Sequence, residues 1–325
     1  MRRDDPSDDW WGRVLDFESE LRPIESELEA VRRNGDGNGS QAREADLQAL
    51  LDKKLRDLYA QLTPWQKVQV ARHRERPYTL DYLQRAFSDF IELHGDRAFA
   101  DDRAIVGGPA ILNGRSVMVL GHQKGRDTRD NMVRNFGMPH PEGYRKAERL
   151  MRQAEHFGMP VVTFVDTPGA AAGMVDEERG QAEAIAASIA AMLSLRVPTI
   201  SVVIGEGGSG GALAIAVADR ILMLEHSILT VASPEAAASI LWRDSARAPD
   251  AAAGMRITAQ DLTALGLVDR IVSEPVGGAH RDPLGAAQYL AEALDQTLAE
   301  LSLLPIDDLL AKRYTKYRDI GFFLE

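Results

Sequence analysis

Seven consecutive residues, Gly205-Glu206-Gly207-Gly208-Ser209-Gly210-Gly211, sit between an apolar stretch at 199–204 and another that starts at Ala212. Several chemistries use glycines in such a place. Gly205-x-Gly207-x-x-Gly210 has the spacing of a dinucleotide fingerprint, with Glu225 about 20 residues further on. Its position far beyond the first strand-helix unit, with no second nucleotide-binding half behind it, argues against that use. Gly207-x-Ser209-x-Gly211 has the form of a nucleophile elbow, and His226 and His280 follow it, but neither histidine carries a supporting motif. Asp166-Thr167-Pro168-Gly169 has the form of a GTPase switch, yet the chain holds no G-x-x-x-x-G-K-[ST] phosphate cradle. A further use needs only the backbone. A strand that delivers Gly207-Gly208 to a helix N-terminus can present successive N–H groups to a developing oxyanion, with the helix dipole adding partial positive charge. A tight strand-to-helix packing turn would use the same glycines, and the residues alone do not choose between these two.

The elements that must hold this segment follow from periodicity. Residues 104–112 and 115–121 flank Asn113-Gly114, which predicts a β-hairpin with a type I′ turn. An amphipathic helix follows, with Tyr144, Ala147, Leu150, Met151, Ala154 and Phe157 inward and Gly158 as its stop. Residues 161–165 form a short apolar strand that runs into Asp166, and the alanine-rich stretch 177–195 is predicted helical. Strands are also predicted at 199–204, 220–224 and 267–272, a helix from Ser233-Pro234, and closing helices from about Pro283. Strand and helix alternating at this spacing mean a parallel sheet covered by helices. Ahead of all this, Phe17, Leu21, Ile24, Leu28 and Val31 form one helical stripe, and Leu47, Leu51, Leu55, Leu58 and Leu62 form another. The Gly- and Asn-rich residues 34–40 between them predict a loop, and hence a helical hairpin serving as a packing or dimerisation arm.

Composition narrows the function classes. The 325 residues are 45% hydrophobic and 27% charged, which predicts a globular chain rather than a disordered one. A net charge of −11 argues against a general nucleic-acid footprint, because phosphate neutralisation needs a basic field. With no cysteine there is no disulfide, thiolate nucleophile or Cys-based zinc site. The seven histidines are scattered with no ligand spacing, and no protein-bound metal is expected. The polar start, Met1-Arg2-Arg3-Asp4-Asp5, and the lack of any uncharged apolar run of about 18 residues predict a cytoplasmic chain with no membrane partner.

Longer strings carry a resemblance. Asp166-Thr167-Pro168-Gly169-Ala170, Glu177-Glu178-Arg179-Gly180-Gln181, Ile204 through Ala214, Gly121-His122-Gln123-Lys124-Gly125-Arg126, Arg134 through Pro139, Pro141 through Ala147 and Arg76 through Tyr82 resemble the α subunits of bacterial acetyl-CoA carboxylase carboxyltransferases. The likeness runs from the helical hairpin to beyond Gly277-Gly278-Ala279-His280-Arg281. It implies an α/β, crotonase-like ββα superhelix (77–325) with the N-terminal hairpin arm (1–76) as an appendage. It also implies an α2β2 assembly with a separate β subunit that carries a zinc ribbon and binds most of the acyl-CoA. A biotin carboxyl carrier protein brings carboxybiotin, a biotin carboxylase belongs to the wider complex, and the carboxyl passes to acetyl-CoA to give malonyl-CoA for fatty acid synthesis.

On this likeness the amides of Gly207 and Gly208 are the catalytic groups, and they stabilise charge on the ureido oxygen. Gly169, Ala170, Ala171, Ala172 and Gly173 shape the wall of the biotin pocket, a plain turn being the alternative. Lys124 and Arg126 steer a carboxylate or a CoA phosphate, solvated loop cations being the alternative. Asp166 caps the turn after its strand. Two departures stand out. Ala171-Ala172 replaces a usual Tyr-Pro, removing an aromatic ring and a fixed φ, and Ala236-Ala237 replaces a usual Gly and small residue. A paralogue acting on another acyl-CoA, and a non-catalytic assembly subunit with an eroded pocket, are the alternative expectations.

Overall fold

A computed structural model describes residues 15–34 and 38–321. The polar start, Met1 to Asp5, lies outside them. The two stripes fall mainly on α1 (Arg22–Asn34) and α2 (Asn38–Tyr59), with Phe17 and Leu21 on a 3-10 helix (Asp16–Leu21) that leads into α1 and Leu62 just past the end of α2. All ten stripe residues meet in one apolar cluster, with Leu21, Leu28, Leu47, Leu51 and Leu55 buried. Across the pair, Arg32 donates to Glu44 at 2.8 Å and Arg43 to Glu27 at 3.1 Å. The expected loop is shorter than 34–40. Asn34 still belongs to α1 and Asn38, Gly39 and Ser40 already belong to α2, while 35–37 lie outside the described residues. Short polar residues favour a helix N-terminus as readily as a loop, which hid the boundary. The arm docks through Arg281, which reaches Glu18 at 3.0 Å and Glu25 at 2.7 Å, while the Tyr59 hydroxyl donates to Glu18 at 2.6 Å.

Next come α3 (Pro64–Ala71), capped by Thr63, α4 (Thr79–Ala86) and the hairpin of β1 (Ile105–Leu112) and β2 (Arg115–His122). Asn113 and Gly114 both take positive φ, 47° and 77°, as the predicted type I′ turn requires. Then follow α5 (Thr128–Val133), α6 (Pro141–His156), β3 (Val161–Thr167), α7 (Met174–Glu178), α8 (Gln181–Ser194), β4 (Thr199–Gly208) and α9 (Ser209–Ala216). The chain closes with β5 (Arg220–Leu224), β6 (Ile228–Thr230), α10 (Pro234–Trp242), α11 (Ala248–Met255), α12 (Ala259–Ala264), β7 (Arg270–Val272), α13 (Pro283–Ser302) and α14 (Ile306–Arg318).

The strands form one sheet in the order β1-β2-β3-β4-β5-β7, antiparallel only at the first pair, with β6 added beside the far end of β4. Alternate residues point to opposite layers. Met118, Leu120, Val161 and Val165 face one core with α6, α8 and α9, and Val119, Val162, Phe164 and Val202 face the other with α4 and α13. Burial on both faces explains why these strands are continuous apolar runs. From α6, Tyr144, Leu150 and Met151 are fully buried, and burial of Leu150 or Met151 contributes about 1.5–3 kcal/mol relative to exposure.

Three expectations need correction. Phe157 is 64% exposed rather than inward, because the chain leaves α6 through Gly158 at φ 66°. The helix expected over 177–195 is two helices, broken where Gly180 takes φ 82°, a left-handed value that no helix interior accommodates. The strand expected to end at Ile204 runs on to Gly208, and α9 starts at once with Ser209. The glycines are ladder residues there, because β6, three residues long and not foreseen, supplies a neighbour.

Candidate functional site

Two segments far apart in sequence meet at the ends of β3 and β4. Glycine at 208 is required by contact: a β-carbon there would lie 2.1 Å from the Pro168 carbonyl oxygen and 2.3 Å from its carbon. One at Gly211 would lie 2.5 Å from the Ala170 nitrogen. The Pro168-Gly169-Ala170 turn is therefore packed backbone against backbone on the start of α9. Gly169 takes φ 155°, and its ends are tied by the Thr167 hydroxyl, which accepts from the Gly169 N–H at 3.1 Å and donates to the Gly169 carbonyl at 2.6 Å. Gly207 stands in register between Thr167 on β3 and Leu229 on β6, and Gly208 opposite Thr230. An open, largely apolar cavity of about 430 Å³ begins at Ser209 and Gly210 and runs past Leu213, Leu229, Val231 and Ile257.

Behind the glycines lies a buried charge network. Lys124 Nζ donates to Asp166 Oδ1 at 2.7 Å and to Glu206 Oε1 at 2.9 Å. Arg72 donates to Glu206 Oε2 at 2.8 Å and to Glu235 at 2.7 Å. Burial opposes ionisation of Glu206, but Lys124 and Arg72 prevail and hold its carboxyl down at about 2. Asp166 is raised, because burial outweighs the same lysine. Burial also works against the charge on Lys124, yet the two carboxylates raise its pKa above the ordinary amine value. His122, wholly buried, accepts the Asp166 N–H on Nδ1 at 3.4 Å, and burial together with Lys124 pushes its pKa down to about 3.

The remaining expected site residues separate. Ala171 is buried, with its N–H given to the Pro139 carbonyl at 3.0 Å and its own carbonyl taken by Gln181 at 2.8 Å. Ala172 and Gly173 are exposed, and the Gly173 N–H donates to Asp176 at 3.0 Å at the head of α7. Arg126 points away from the glycines. Its guanidinium donates to the carbonyls of Arg74 and Arg76 at 2.7 and 3.0 Å, pairs with Asp81 and lies 3.9 Å over the Tyr78 ring. As for the nucleophile elbow, His226 packs edge-on against Tyr59 and His280 stacks on His73, with ring centroids 5.3 and 4.0 Å apart. Sequence reading assigned no role to Glu206 or Arg72. The available signal was Glu206 itself, the single charged residue within the seven-residue glycine segment. Among the described residues no cluster of three or more His, Asp or Glu side chains is arranged to hold a metal, and no helix is long and apolar enough to cross a membrane.

Comparison with known families decides the kinship. The family described as acetyl co-enzyme A carboxylase carboxyltransferase-like matches residues 14–321. The chain belongs to that family. Its relatives include the acetyl-coenzyme A carboxylase carboxyl transferase subunits alpha of Burkholderia mallei (strain NCTC 10229) and Burkholderia pseudomallei (strain K96243), each 54% identical over 314 residues, 96% of this chain and 97% of the relative. Solved structures share the fold at lower identity. Transcarboxylase 12S superposes with a TM-score of 0.55 at 23% identity, over 70% of this chain and 42% of that one. A Pseudomonas malonate decarboxylase hetero-tetramer in complex with coenzyme A gives a TM-score of 0.54 at 22% identity, over 66% of this chain and 85% of that one. The crotonase-like α/β fold expected from the sequence is thus the fold of this family member.

Proposed function

We propose that this chain is the α subunit of an acetyl-CoA carboxylase carboxyltransferase, completed by a separate β subunit in an α2β2 assembly in the cytoplasm. In this reading the enzyme takes a carboxyl group from carboxybiotin on a carrier protein and gives it to acetyl-CoA, yielding malonyl-CoA. A biotin carboxylase recharges the carrier. Residues 1–76 act as the arm and 77–325 as the catalytic unit. The observation that carries the reading is the close backbone packing of Pro168-Gly169-Ala170 on Gly208-Gly211, at a helix N-terminus and beside an open cavity. The names of relatives 54% identical over nearly the whole chain support it.

The carried biotin supplies the carboxyl group and, once that group has left, a basic ureido nitrogen. What this chain supplies is a set of neutral donors. In this reading the amides of Gly207 and Gly208, at the end of β4 next to the N-terminus of α9, stabilise the negative charge that would gather on the ureido oxygen as its N–C bond breaks. With the donor bound, the acyl α-carbon would form the new C–C bond to the released carboxyl carbon and its proton would pass to the freed ureido nitrogen, so that no side-chain base is required of this chain. The neighbouring cavity, which opens at Ser209 and Gly210 and has largely apolar walls, supports room for such a guest beside the glycines. Ala171, although it lacks the expected aromatic ring, keeps both backbone polar groups bonded, so the turn is held without the ring. That observation favours a competent site over an eroded one.

The test is to co-express the chain with its β partner and assay carboxyl transfer from biotin to acetyl-CoA and to longer acyl-CoAs. Malonyl-CoA formation is the expected result. A stable complex that transfers to no acyl-CoA would refute the reading.

A further inference from the structure

The ladder between β3 and β4 is irregular at one place. Val165 lies opposite Val203 and Thr167 opposite Gly207, so residues 204–206 of β4 bulge against the single residue Asp166. This is also where β4 changes its other neighbour. Residues 200–203 pair with β5, and 206–208 pair with β6. The bulge thus re-aims the strand just before the glycine pair.

The Asp166 side chain fills the bulge. Its Oδ1 accepts the Glu206 N–H at 3.1 Å and the Lys124 ammonium at 2.7 Å, and its carboxylate sits where a β-carbon of residue 205 would be, 2.4 Å away. Glycine at 205 is therefore demanded by the carboxylate rather than by a ligand. The Glu206 side chain returns to the same ammonium, so backbone and side chain of residue 206 are both fixed from one point. Two carboxylates this deep need their cation, because an unpaired buried charge is strongly unfavourable.

We infer that Asp166, held by Lys124, is a positioning residue that sets the aim of the Gly207 and Gly208 amides through the β4 bulge. This rests on the proposed role of those amides. Misplacing a reacting contact by about 1 Å lowers rate by about 100-fold, so the effect belongs in kcat rather than in substrate affinity.

The experiment uses the full chain assembled with its β partner, with kcat expressed per assembled site. Asp166→Ala is expected to lower kcat by about 10- to 100-fold with KM for acetyl-CoA within about threefold of wild type. Asp166→Asn, which keeps a carbonyl acceptor for the Glu206 N–H, should recover part of that loss. Lys124→Met should fall like Asp166→Ala and Lys124→Arg should retain most activity, and this pair carries the test if Asp166→Ala fails to assemble. Wild-type kcat in assembled Asp166→Ala or Lys124→Met, or a loss confined to complex yield, would overturn the inference. Failure of the wild-type complex to transfer carboxyl would instead sink the functional reading itself.

Discussion

Replacing Gly208 by alanine tests the site where its geometry is tightest. The new β-carbon would stand 2.1 Å from the Pro168 carbonyl oxygen and 2.3 Å from the carbonyl carbon, both backbone atoms that cannot rotate aside. Reaching even a crowded 3.0 Å contact requires β4 and the 168–170 turn to part by roughly 1 Å, the scale of misplacement that costs about 100-fold in rate. Loss of one oxyanion donor has a similar size, about 3 kcal/mol. At Gly207 the first obstacle is Leu229 Cδ1 at 2.6 Å, the far end of a flexible side chain, which can move at small cost. With the β partner present, Gly208→Ala should therefore lose about 100-fold in kcat while Gly207→Ala stays within about tenfold, and both should still assemble. Transfer assays on the purified complexes, with thermal melts to establish folding, read the difference. Equal activities for the two variants, or Gly208→Ala within threefold of wild type, would refute the argument that this backbone contact sets the donors.

Other perturbations follow from single contacts. Arg76 is 1% exposed, donates to both oxygens of Glu274 at 2.8 and 2.6 Å and to the Ile204 carbonyl at 2.7 Å, so Arg76→Met should cost about 3–5 kcal/mol in urea unfolding by depriving a buried carboxylate of its cation. Arg126→Ala should leave KM for acetyl-CoA within about twofold, since that guanidinium is engaged by two carbonyls of the chain and by Asp81, and a large rise in KM would restore it as a substrate contact. The His122 pKa of about 3 lies below the ordinary value near 6.5, so the unfolded chain takes up this proton first as pH falls. Stability is therefore lost from about pH 6.5 downward, by roughly 2 kcal/mol between pH 7 and pH 5. His122→Gln should flatten that dependence in denaturant melts at the two pH values, and an unchanged slope would count against it.

What could be read from the sequence was whatever leaves a local period. The leucine stripes of the arm, the Asn113-Gly114 turn and the apolar strands each announce themselves within ten or twenty residues, and the structure forms each of them, although the strand expected over 267–272 is ordered as a strand only at Arg270–Val272. The β4 boundary was misread because glycine carries no side chain by which to register a face, and so 205–208 looked like loop. The break at Gly180 was masked by helix-favouring alanines on its C-terminal side. Lys124 and Arg126, two residues apart, looked interchangeable as free cations. Their environments differ because the chain leaves β2 at His122 and bends at Arg126, so that one enters the charge network and the other lies toward Tyr78 and Asp81. The partners that define Lys124, Asp166 and Glu206, lie 42 and 82 residues away, and no local pattern encodes that meeting.

The disposition of charge around the glycines has its own logic. The cations nearest the segment, Lys124 and Arg72, are each held by two carboxylates of the chain, Asp166 and Glu206 for one, Glu206 and Glu235 for the other. A free ammonium or guanidinium there would bind the carboxyl donor before reaction about as strongly as during it, and uniform binding of that kind does not raise kcat. Amide dipoles act differently, since their attraction grows with the charge that appears on the acceptor as the bond breaks. On the proposed function, committing the cations to structure and leaving donation to the backbone would favour the transition state over the bound substrate. On the proposed function the same arrangement would let an acidic chain, with net charge −11, serve an anionic donor: the carboxylates beside the glycines are paired with Lys124 and Arg72, and the cavity opens at Ser209 and Gly210, the first residues of α9.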